Sequence, residues 1–412
     1  KQRHLLKRVW QRPLNGLKQI GMYMTEYNWP LMKDTLTWKD RFKLAKFVLT
    51  ADRFTQGEKV AEFEQAWADW LGVKYSVFVT SGSTANFLLL DAVREKFFSN
   101  KKSKLKVLVP ACTWVTNVNP IIQLGMEPVF CDINLYDYSF DLSMASKIAK
   151  NNNIDIIFVT HLLGLPANIY QIKSLFPNAV LLEDVCESHG ARDMMGHKVG
   201  SISLGSTFSF YYGHHMSTIE GGMVSTNNKE LYDLLRMKRS HGMSRVSIDP
   251  HSYSEYYPDI DPQFLFVTAG YNFRNTELAA VLGLSQLPKL DGFIKKRQAN
   301  YSKFMDFMYK RGSRFVLPGD GHADKGNSSF CFPLIAREHI IKERLLTKLK
   351  ECKIEYRPIV GGNLLKQPYL KSYNRATFKN ADLLHGNGIY IGNNQFVGDK
   401  ELELLKSIVE KV

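Results

Sequence analysis

Short apolar runs alternate with amphipathic stretches through the middle of the chain. Runs rich in β-branched and aromatic residues predict strands at 106–110, 128–132, 154–160, 180–183, 206–210 and 223–226. Apolar positions at helical spacing predict helices at 117–124, 143–151, 167–176 and 229–240. Because strands and helices alternate, this region is predicted to be an α/β domain in which helices cross between the strands of one sheet.

A smaller α/β unit is predicted toward the C-terminus. One long helical pattern begins at Thr276 and extends to about Arg311, with a kink expected at Pro288. It is followed by predicted strands at 329–335 and 354–358 and by predicted helices at 339–350 and 400–412. We therefore predict an N-terminal extension (residues 1–30), a large domain (31–287) and a small C-terminal domain (288–412).

The length and the charge of the chain narrow its class. With 412 residues, of which 44% are hydrophobic, the chain is long enough for two domains with a core each. Its net charge of +14 raises nucleic acid as a partner, but residues 1–50 alone carry eleven Lys and Arg against three Asp and Glu. Because the charge is concentrated in this basic arm, we predict no nucleic-acid binding. The arm is either a solvated extension, a helix packed on a neighbouring subunit, or a segment that contacts an anionic surface.

Sequence patterns exclude several further classes of protein. No apolar run approaches the ~18 residues of a transmembrane helix, and the first residues lack the apolar core of a secretory signal. We therefore expect a cytoplasmic protein without a transmembrane segment. The five cysteines are widely scattered and form no CxxC pair, which argues against a disulfide scaffold and a zinc site, so no metal is predicted.

Candidate chemistry begins at a short run of small hydroxyl residues. Ser81, Gly82, Ser83 and Thr84 follow an apolar run and precede a helical pattern at 87–93. The first N–H groups of a helix point at an anion that binds there, and the helix dipole attracts negative charge. The run is therefore a candidate phosphate site, although the same residue types also form ordinary helix caps.

Four further segments follow in order along the chain. They read VPACTWVTN at 109–117, LLEDVCESHGA at 181–191, SFYYGHHMSTIEGG at 209–222 and GYNFRNTE at 270–277. Together with the hydroxyl run they resemble, in the same order, the motifs of the pyridoxal-phosphate-dependent sugar aminotransferases of the DegT/DnrJ/EryC1/StrS family. The resemblance extends from about residue 31 to the C-terminus. It implies the pyridoxal-phosphate-dependent transferase fold type I, similar to aspartate aminotransferase, with a large mixed-sheet domain and a smaller C-terminal α/β domain.

The resemblance also implies a cofactor, pyridoxal 5′-phosphate or pyridoxamine 5′-phosphate. The implied cofactor-binding residues are Gly82, Ser83, Thr84, Trp114, Asp184, Glu187, Ser209 and Asn272. Among them, Ser83 and Thr84 are expected to bind the cofactor phosphate, and the ring of Trp114 is expected to stack on the pyridine ring. Asp184 would keep the pyridine nitrogen protonated, which makes the ring an electron sink. Glu187 would face the phenolic oxygen of the cofactor, where many members have Gln.

Two details of these motifs bear on assembly and on the quality of the match. Asn272 occupies the position that reaches the cofactor phosphate of the other subunit, so the resemblance implies a homodimer with composite active sites. Thr116 and Asn117 stand where the family usually has Ala-Thr, and Cys186 replaces an alanine. The end of the tryptophan motif therefore departs from the pattern of the family.

One position departs from the aminotransferases of this family. His214 stands where those enzymes have the lysine that binds the cofactor covalently, and an imidazole cannot form that bond. The change resembles a dehydratase branch of the family, whose members remove the 3-hydroxyl from nucleotide-linked 4-keto-6-deoxyhexoses. There the cofactor is held without a covalent bond, and His214 is expected to act as a base near neutral pH. The implied enzyme is a lyase of deoxysugar and O-antigen biosynthesis.

Cysteine positions distinguish two subtypes of that branch. The subtype that acts on CDP-sugars carries an iron–sulfur cluster, bound by cysteines around and after the histidine, and needs a partner reductase. This chain has no cysteine between Cys186 and Cys331, so the resemblance favours the subtype without an iron–sulfur cluster. That subtype acts on GDP-4-keto-6-deoxy-D-mannose, takes its amino group from L-glutamate and releases ammonia.

The substrate side of the site is predicted from a segment nearer the C-terminus. The sequence YRPIVGGNLLKQP at 356–368 resembles a stretch of the dehydratase branch. Arg357 and Asn363 are candidate ligands of the sugar or the diphosphate, but a structural turn built on two glycines explains the segment equally well. His215 is a third candidate, for which packing beside His214 is the favoured alternative.

Three rival interpretations stay open from the sequence. The first is a dehydratase of another nucleotide sugar, such as the CDP-4-keto-6-deoxyglucose type. The second is a non-catalytic homologue that binds the cofactor or a sugar nucleotide, and the third is an aminotransferase whose lysine has been replaced. Asp184, Trp114 and Ser209 argue against the second, because a binding relic need not keep an electron-sink carboxylate.

Overall fold

Seven strands form the larger sheet of the computed structural model, which describes residues 27–319, 326–374 and 376–412. In chain order the strands are β1 Tyr75–Val79, β2 Lys106–Pro110, β3 Glu127–Cys131, β4 Ile156–Thr160, β5 Val180–Asp184, β6 Gly205–Ser209 and β7 Gly222–Thr226. They are arranged β1-β7-β6-β5-β4-β2-β3 across the sheet. Strands β2 to β6 are parallel, whereas β7 is antiparallel to β6 and to β1. The six predicted strands and the mixed α/β class are confirmed.

Helices cover both faces of this sheet. Alternate strand side chains point to opposite faces, and Val77 and Val79 belong to one buried apolar cluster whereas Phe78 belongs to another. The helices up to the second sheet are α1 Trp38–Thr50, α2 Glu58–Leu71, α3 Gly82–Phe98, α4 Asn119–Gln123, α5 Leu142–Asn151, α6 Ile169–Leu175, α7 Lys229–Arg239, α8 Pro250–Tyr256 and α9 Glu277–Arg311. Short 3-10 turns lie at Val115–Asn117, Leu162–Gly164, Ser244–Val246, Pro262–Phe264, Leu364–Lys366 and Pro368–Tyr373.

A smaller antiparallel sheet follows, as expected for the second unit. Its strands are β8 Phe315–Val316, β9 Cys331–Ala336, β10 Tyr356–Pro358 and β11 Gly388–Gly392, arranged β10-β11-β9-β8. Helices α10 His339–Glu351, α11 Lys379–Asn387 and α12 Asp399–Lys411 accompany it. The elements predicted at 329–335, 339–350, 354–358 and 400–412 are confirmed. Strand β11 was not predicted, because it is only five residues long with glycine at both ends, and its pairing with β9 and β10 holds it in place.

Helix α9 connects the two sheets. It is 35 residues long and continues through Pro288, so the predicted long helix is confirmed. It packs against α1 and α2 and, farther along, against α12. Buried Asp40 of α1 accepts hydrogen bonds from Ser285 (2.5 Å) and from Lys289 (2.6 Å) of α9, which fastens the two helices together. The predicted limit between the domains at residue 287 falls inside this helix and stays a prediction.

The segment before α1 joins the small sheet. Trp29 forms a parallel bridge with Ile354, and its Nε1 donates to the carbonyl of Gly392 (3.0 Å). The N–H of Leu31 donates to Oε2 of Glu355 (2.9 Å). The described chain therefore contacts the small sheet before it enters α1. Residues 1–26 of the predicted basic arm lie outside the described residues.

One predicted helix differs from the structure. The pattern at 117–124 is divided between the 3-10 turn Val115–Asn117 and the short helix α4. Pro120 lies at the second position of α4, where the missing N–H costs no intrahelical hydrogen bond, so a new helix begins there. Elsewhere in the described ranges, no helix combines the length and the apolarity needed to cross a lipid bilayer.

Candidate active site

A cavity of about 320 Å³ lies at the carboxyl ends of the central parallel strands. Ligands bind at this edge of open α/β sheets, where the loops after neighbouring strands diverge. Strands β4, β5 and β6 end at Thr160, Asp184 and Ser209, and all three residues line the cavity. The structure brings eight of the predicted site residues together in its wall: Gly82, Ser83, Trp114, Asp184, Glu187, Ser209, His214 and Arg357.

Asp184 is held at the end of β5 by two hydrogen bonds. Nδ2 of Asn86 donates to its Oδ2 (2.8 Å), and the N–H of Cys186 donates to its Oδ1 (2.9 Å). Asn86 is fixed in turn, since its Oδ1 accepts a hydrogen bond from Oγ1 of Thr207 (2.5 Å). A buried carboxylate that is fixed in this way suits a cationic ring nitrogen, because such a nitrogen both donates a hydrogen bond and balances the charge.

The N-terminus of α3 provides an anion site beside Ser209. Ser81 is the N-cap of this helix, and its Oγ accepts a hydrogen bond from the N–H of Thr84 (3.1 Å). The earlier N–H groups, at Gly82 and Ser83, have no intrahelical partner. A Cβ at Gly82 would lie 2.6 Å from Cβ of Ser209, so only glycine lets the helix approach the end of β6 this closely. The N–H groups of Gly82 and Ser83 and the hydroxyl of Ser209 thus line the same cavity, an arrangement that suits a phosphate.

Trp114 offers an apolar ring to the cavity. Its side chain is 52% exposed, which is unusual for a residue of this size next to a buried sheet edge. The turn that carries it is fixed from behind: Oγ1 of Thr113 donates to Oδ1 of Asn117 (2.8 Å) and bonds with Oγ1 of Thr160 (2.7 Å). An accessible, fixed indole face is what a planar heteroaromatic ring needs for stacking.

Glu187 has an unusual protonation equilibrium. Its Oε2 accepts a hydrogen bond from the N–H of Leu163 (3.0 Å). Burial raises the pKa of Glu187 to about 7, and the negative charge of Asp184 acts in the same direction, although the bond from Leu163 opposes both. Near neutral pH the side chain is therefore able to donate a hydrogen bond into the cavity.

His214 lies in the turn that follows β6. Its N–H donates to the carbonyl of Tyr211 (3.0 Å), and its ring is 5.7 Å from the ring of Phe330 and 6.1 Å from that of His189, between centroids. Its Nδ1 is buried and has no hydrogen-bond partner within the described part of the chain. Burial, and after it the charge of Arg297, lowers the pKa of His214 to about 3. The imidazole is therefore neutral, and a ring nitrogen is free to accept a proton.

The small sheet supplies the opposite wall. Arg357 of β10 and Tyr390 of β11 face each other in the strand pairing and line the cavity together with Phe330. The guanidinium of Arg357 lies 3.5 Å from a carboxylate oxygen of Glu355, and its side chain is 55% exposed. This wall thus presents a cation that is still accessible to an anionic ligand.

Two predicted residues of the substrate side lie outside the cavity wall. His215 is buried, and its Nε2 bonds to the carbonyl of Ser328 (2.9 Å). Asn363 is also buried; its Nδ2 donates to Asp382 (2.9 Å), and its Oδ1 caps the turn by accepting from the N–H of Leu365 (3.0 Å). The structure therefore gives both side chains structural contacts, and their roles in substrate binding stay predictions.

Two predicted cofactor residues also lie away from the wall. Oγ1 of Thr84 accepts a hydrogen bond from the N–H of Ser81 (3.0 Å) and donates one to the carbonyl of Ser81 (2.9 Å), so this hydroxyl completes the helix cap. Asn272 is exposed, and its Oδ1 accepts from Nε of Arg274 (2.9 Å). An exposed position away from the cavity of its own chain is compatible with the predicted contact to another subunit.

Several residues of the site were missed by sequence reasoning, namely Asn86, which holds Asp184, and three residues of the cavity wall. Asn86 stands one helical turn after Gly82, so helical spacing was a signal that could have placed it on the same face of α3. Phe330 immediately precedes β9, Tyr390 lies on β11, and Met32 comes from the segment before α1. No local pattern marks these three, because only the packing of remote parts of the chain brings them to the cavity.

The cysteines do not form a shared group. All five are free, Cys186 lies in the cavity wall, and Cys112, Cys131 and Cys331 are buried. Within the described ranges, no three His, Cys, Asp or Glu side chains are grouped so as to hold a metal ion. The predicted absence of a metal and of an iron–sulfur cluster stays a prediction.

Proteins of one family match nearly the whole chain. A family model described as the DegT/DnrJ/EryC1/StrS aminotransferase family matches residues 37–410. The chain is 35% identical to GDP-4-keto-6-deoxy-D-mannose 3-dehydratase of Escherichia coli O55:H7, over 93% of this chain and 100% of that protein. Two crystal structures of GDP-4-keto-6-deoxymannose-3-dehydratase are also similar, each 31% identical and covering 93% of this chain and 100% of the other. One is a mutant with bound GDP-perosamine (TM-score 0.84), and the other holds a trapped PLP-glutamate geminal diamine (TM-score 0.83). The chain belongs to the DegT/DnrJ/EryC1/StrS aminotransferase family.

Proposed function

We propose that this chain is a pyridoxal-phosphate-dependent dehydratase that removes the 3-hydroxyl of a nucleotide-linked 4-keto-6-deoxyhexose in deoxysugar biosynthesis. The expected substrate is GDP-4-keto-6-deoxy-D-mannose, the substrate in the name of the relative that is 35% identical. The observation that carries the proposal is His214, a neutral imidazole in the cavity where the aminotransferases of the family have a lysine. The surrounding groups are intact and fixed, so the site is suited to a different reaction.

The residues of the large-sheet wall fit the parts of the cofactor. The N–H groups at Gly82 and Ser83, with Ser209, would hold its phosphate, and Trp114 would stack on its ring. Asp184 would bind the ring nitrogen, since its carboxylate is buried and held by two donors. When bound, pyridoxamine phosphate supplies an amine that condenses with the 4-keto group and a ring that accepts electrons.

His214 would serve as the base of the reaction. Its Nδ1 is buried without a partner in the described residues, and its pKa is low enough to keep the ring neutral. The imidazole therefore accepts a proton at a ring nitrogen, and the departure of the 3-hydroxyl completes the elimination. Because His214 cannot bind the cofactor covalently, it does not compete with the substrate for the cofactor carbon. Phe330 packs on its ring and helps to exclude water.

L-glutamate is the proposed amino donor. A related enzyme has been trapped with glutamate joined to its cofactor, and the exposed Arg357 offers a cation to a carboxylate or a diphosphate in the same cavity. The proposed products are 2-oxoglutarate, ammonia and a 4-keto-3,6-dideoxy sugar. We place the reaction in the cytoplasm, where nucleotide sugars are made.

The proposed enzyme is a homodimer with composite sites. Asn272 is exposed and lies outside the cavity of its own chain, although the resemblance assigns it to a cofactor phosphate. Helix α1 also leaves large apolar side chains in contact with solvent: Trp38 is 85% exposed, Phe42 71% and Leu49 84%. An apolar surface of this kind is typical of a protein interface.

Mixing two inactive variants tests the composite site. His214→Asn and Asn272→Ala would each be inactive alone if one chain provides the base and the other the phosphate contact. After subunit exchange, half of the dimers are mixed and each has one intact site, so activity returns to about a quarter of the wild-type value. No return of activity in a preparation shown by mass to contain mixed dimers would rule out the shared site.

The reaction itself is tested with purified protein, pyridoxal phosphate, L-glutamate and GDP-4-keto-6-deoxymannose. We expect one 2-oxoglutarate and one ammonia for each sugar that loses water, and a sugar product without nitrogen. A stable amino sugar would contradict the proposal and indicate an aminotransferase. Parallel assays with the CDP- and dTDP-linked substrates identify the preferred nucleotide, and no turnover with any of them would favour a non-catalytic homologue.

A further inference from the structure

Arg297 lies on helix α9 beside His214 and does not line the main cavity. It is 3% exposed and lines a narrow cleft together with His214, Phe330 and Tyr390. Burial lowers the pKa of Arg297 to about 10, so the guanidinium still carries its charge at neutral pH. A full positive charge is thus buried next to the proposed base.

The contacts of Arg297 leave this charge uncompensated. Its Nη1 donates to the main-chain carbonyls of Phe330 (3.0 Å), Ser329 (3.5 Å) and Asn393. Among the residues that the structure describes, no Asp or Glu forms an ion pair with it. Carbonyl oxygens bind Nη1 but do not neutralise the charge, and the buried Nε has no hydrogen-bond partner among the described residues. A buried cation without a counter-ion is costly. A costly arrangement of this kind calls for a functional reason.

The same contacts connect Arg297 to the ring of His214. The carbonyl of Phe330 accepts a hydrogen bond from Arg297, and the ring of Phe330 packs on the imidazole, with 5.7 Å between centroids. Arg297 therefore acts on His214 in two ways, through its charge and through the residue that it holds against the imidazole.

We propose that Arg297 is a positioning residue that keeps His214 unprotonated and correctly placed to act as a base. The proposal rests on the proposed function, since only a base needs a free ring nitrogen. Negative charge near the imidazole opposes this: Asp184 lines the same cavity, and a bound phosphate adds further negative charge, both of which would draw a proton to the imidazole. Arg297 counteracts them.

The other titratable groups around His214 do not replace Arg297. Burial, with Arg297 next among the causes, also lowers the pKa of His215, and His189 responds to burial, His214 and Arg297 in that order. These two neighbours are therefore neutral and add no positive charge. The ionisable groups that line the same cavity and cleft are Lys33, Asp184, Cys186, Glu187, Tyr211, Tyr212, Glu220, Arg357 and Tyr390.

The test measures the protonation of His214 by NMR in cofactor-loaded protein labelled at histidine. The His214→Asn variant identifies its signal, which disappears from the spectrum. Arg297→Met removes the charge and keeps an unbranched side chain, whereas Arg297→Lys keeps the charge as a matched control. We expect the pKa of His214 to rise by about one unit or more in Arg297→Met and to stay near the wild-type value in Arg297→Lys. The acid limb of the kcat profile should move to higher pH in Arg297→Met alone.

A second route avoids removing the arginine, in case Arg297→Met does not fold. Asn393 accepts a bond from Arg297 with its carbonyl, and its Nδ2 lies 2.9 Å from the carbonyl of Arg297. Asn393→Asp keeps the size of the side chain and adds a carboxylate to the residue whose main-chain carbonyl binds the guanidinium, although it loses the hydrogen bonds that Nδ2 donates to Arg297 and Ser329. We expect it to raise the pKa of His214 in the same direction as Arg297→Met.

Three results would overturn the proposal. The first is a pKa of His214 that is the same in wild type, Arg297→Met and Asn393→Asp. The second is an equal rise of this pKa in Arg297→Met and Arg297→Lys. The third is a wild-type His214 that titrates at the ordinary pKa of histidine. None of these measurements requires turnover. If the NMR shifts appear as expected but the protein does not dehydrate the sugar, the proposed function fails while the electrostatic coupling stands.

Discussion

The two walls of the cavity are built in different ways. On the wall from the large sheet, Asp184 is fixed by two donors, and Asn86, which supplies one of them, is fixed by Thr207. On the wall from the small sheet, Arg357 has a side chain that is 55% exposed, and its nearest ion-pair contact, with Glu355, is 3.5 Å long. One wall holds its polar groups in single positions, and the other leaves its main charge accessible.

This difference suggests a division of work between the walls. Groups that must hold a cofactor and direct a proton need positions that are fixed to a fraction of an ångström, and buried hydrogen-bond networks provide them. A substrate that enters and leaves in every cycle is better served by accessible groups on a different part of the fold. We therefore expect changes on the large-sheet wall to lower kcat and changes on the small-sheet wall to raise KM.

The largest effect is expected from His214→Asn. Asparagine fits the space but cannot act as a base, so kcat for loss of the 3-hydroxyl should fall by up to about 10⁴-fold. The absorbance of bound cofactor should stay close to that of the wild type, because the groups that hold it are elsewhere in the wall. His251→Asn is the matched control, since this imidazole is exposed and does not line the cavity, and it should leave kcat unchanged. A variant that keeps more than a tenth of the activity would remove His214 from the role of base.

His214→Lys tests the same position in the opposite direction. A lysine restores the residue that the aminotransferases of the family have, so the variant should hold the cofactor covalently and lose dehydration. Mass spectrometry after borohydride reduction detects the covalent form, and the wild-type chain should show none. Undiminished dehydration by this variant would contradict the assignment of the base.

Asp184→Asn is expected to lower kcat by about 10³-fold, which is the order found when one fixed electrostatic contact to a reacting group is lost. Asparagine still offers an oxygen to Asn86 but carries no negative charge, so the protonated ring nitrogen loses its counter-ion. Thermal melting checks that the variant is folded, and cofactor affinity is measured by fluorescence titration. A change confined to KM would contradict the division between the walls.

The sequence predicted the first wall far better than the second. Several large-sheet residues lie at the ends of strands or at a helix N-terminus, where a local pattern shows both the element and the direction of the side chain. Asp184 and Ser209 are examples, since each is the last residue of a strand whose apolar run was predicted within one residue. Parallel strands then bring these ends together without any further information.

The second wall depends on contacts between distant parts of the chain. Tyr390 lies on a five-residue strand that local pattern did not predict, and Met32 reaches the cavity because its segment joins the small sheet first. Asn363 was predicted from its motif, but its side chain is occupied by Asp382 and by the turn that it caps. Local sequence indicates a residue type at such positions, whereas tertiary packing decides which way the side chain points.

Arg357→Met is expected to have a moderate effect that appears in KM. Methionine keeps the apolar part of the side chain but not the charge, so KM for the nucleotide sugar or for glutamate should rise about tenfold, which corresponds to ~1.4 kcal/mol. The substrate whose KM changes is the one that Arg357 contacts. The KM of Arg357→Lys should lie between those of Arg357→Met and the wild type, because lysine keeps the charge but not the forked donors of arginine. A fall in kcat without a change in KM would contradict the expectation that changes on the small-sheet wall raise KM.

The smallest effect on activity at a single pH is expected from Glu187→Gln. This variant tests whether Glu187 on the large-sheet wall is a neutral acid. Below a pKa of about 7 the wild-type side chain is protonated and resembles glutamine, so activity near pH 6 should agree within about threefold. As the pH rises through 7, Glu187 ionises and its donor is lost, whereas glutamine does not titrate. The wild type should therefore decline on the alkaline side and the variant should not.

Thermal melting provides a check on Glu187 that is independent of turnover. The folded pKa is raised above the ordinary value of 4.5, so the proton that Glu187 holds stabilises the fold below that value. This stability is lost as the pH rises from about 4.5 through about 7, and Glu187→Gln has no such loss. The melting temperature of the variant should thus rise relative to that of the wild type as the pH increases across this range. If the melting temperatures of the two proteins change in parallel with pH, Glu187 is ionised throughout this range. The large-sheet wall would then carry two negative charges beside His214, and the positive charge of Arg297 would be needed all the more.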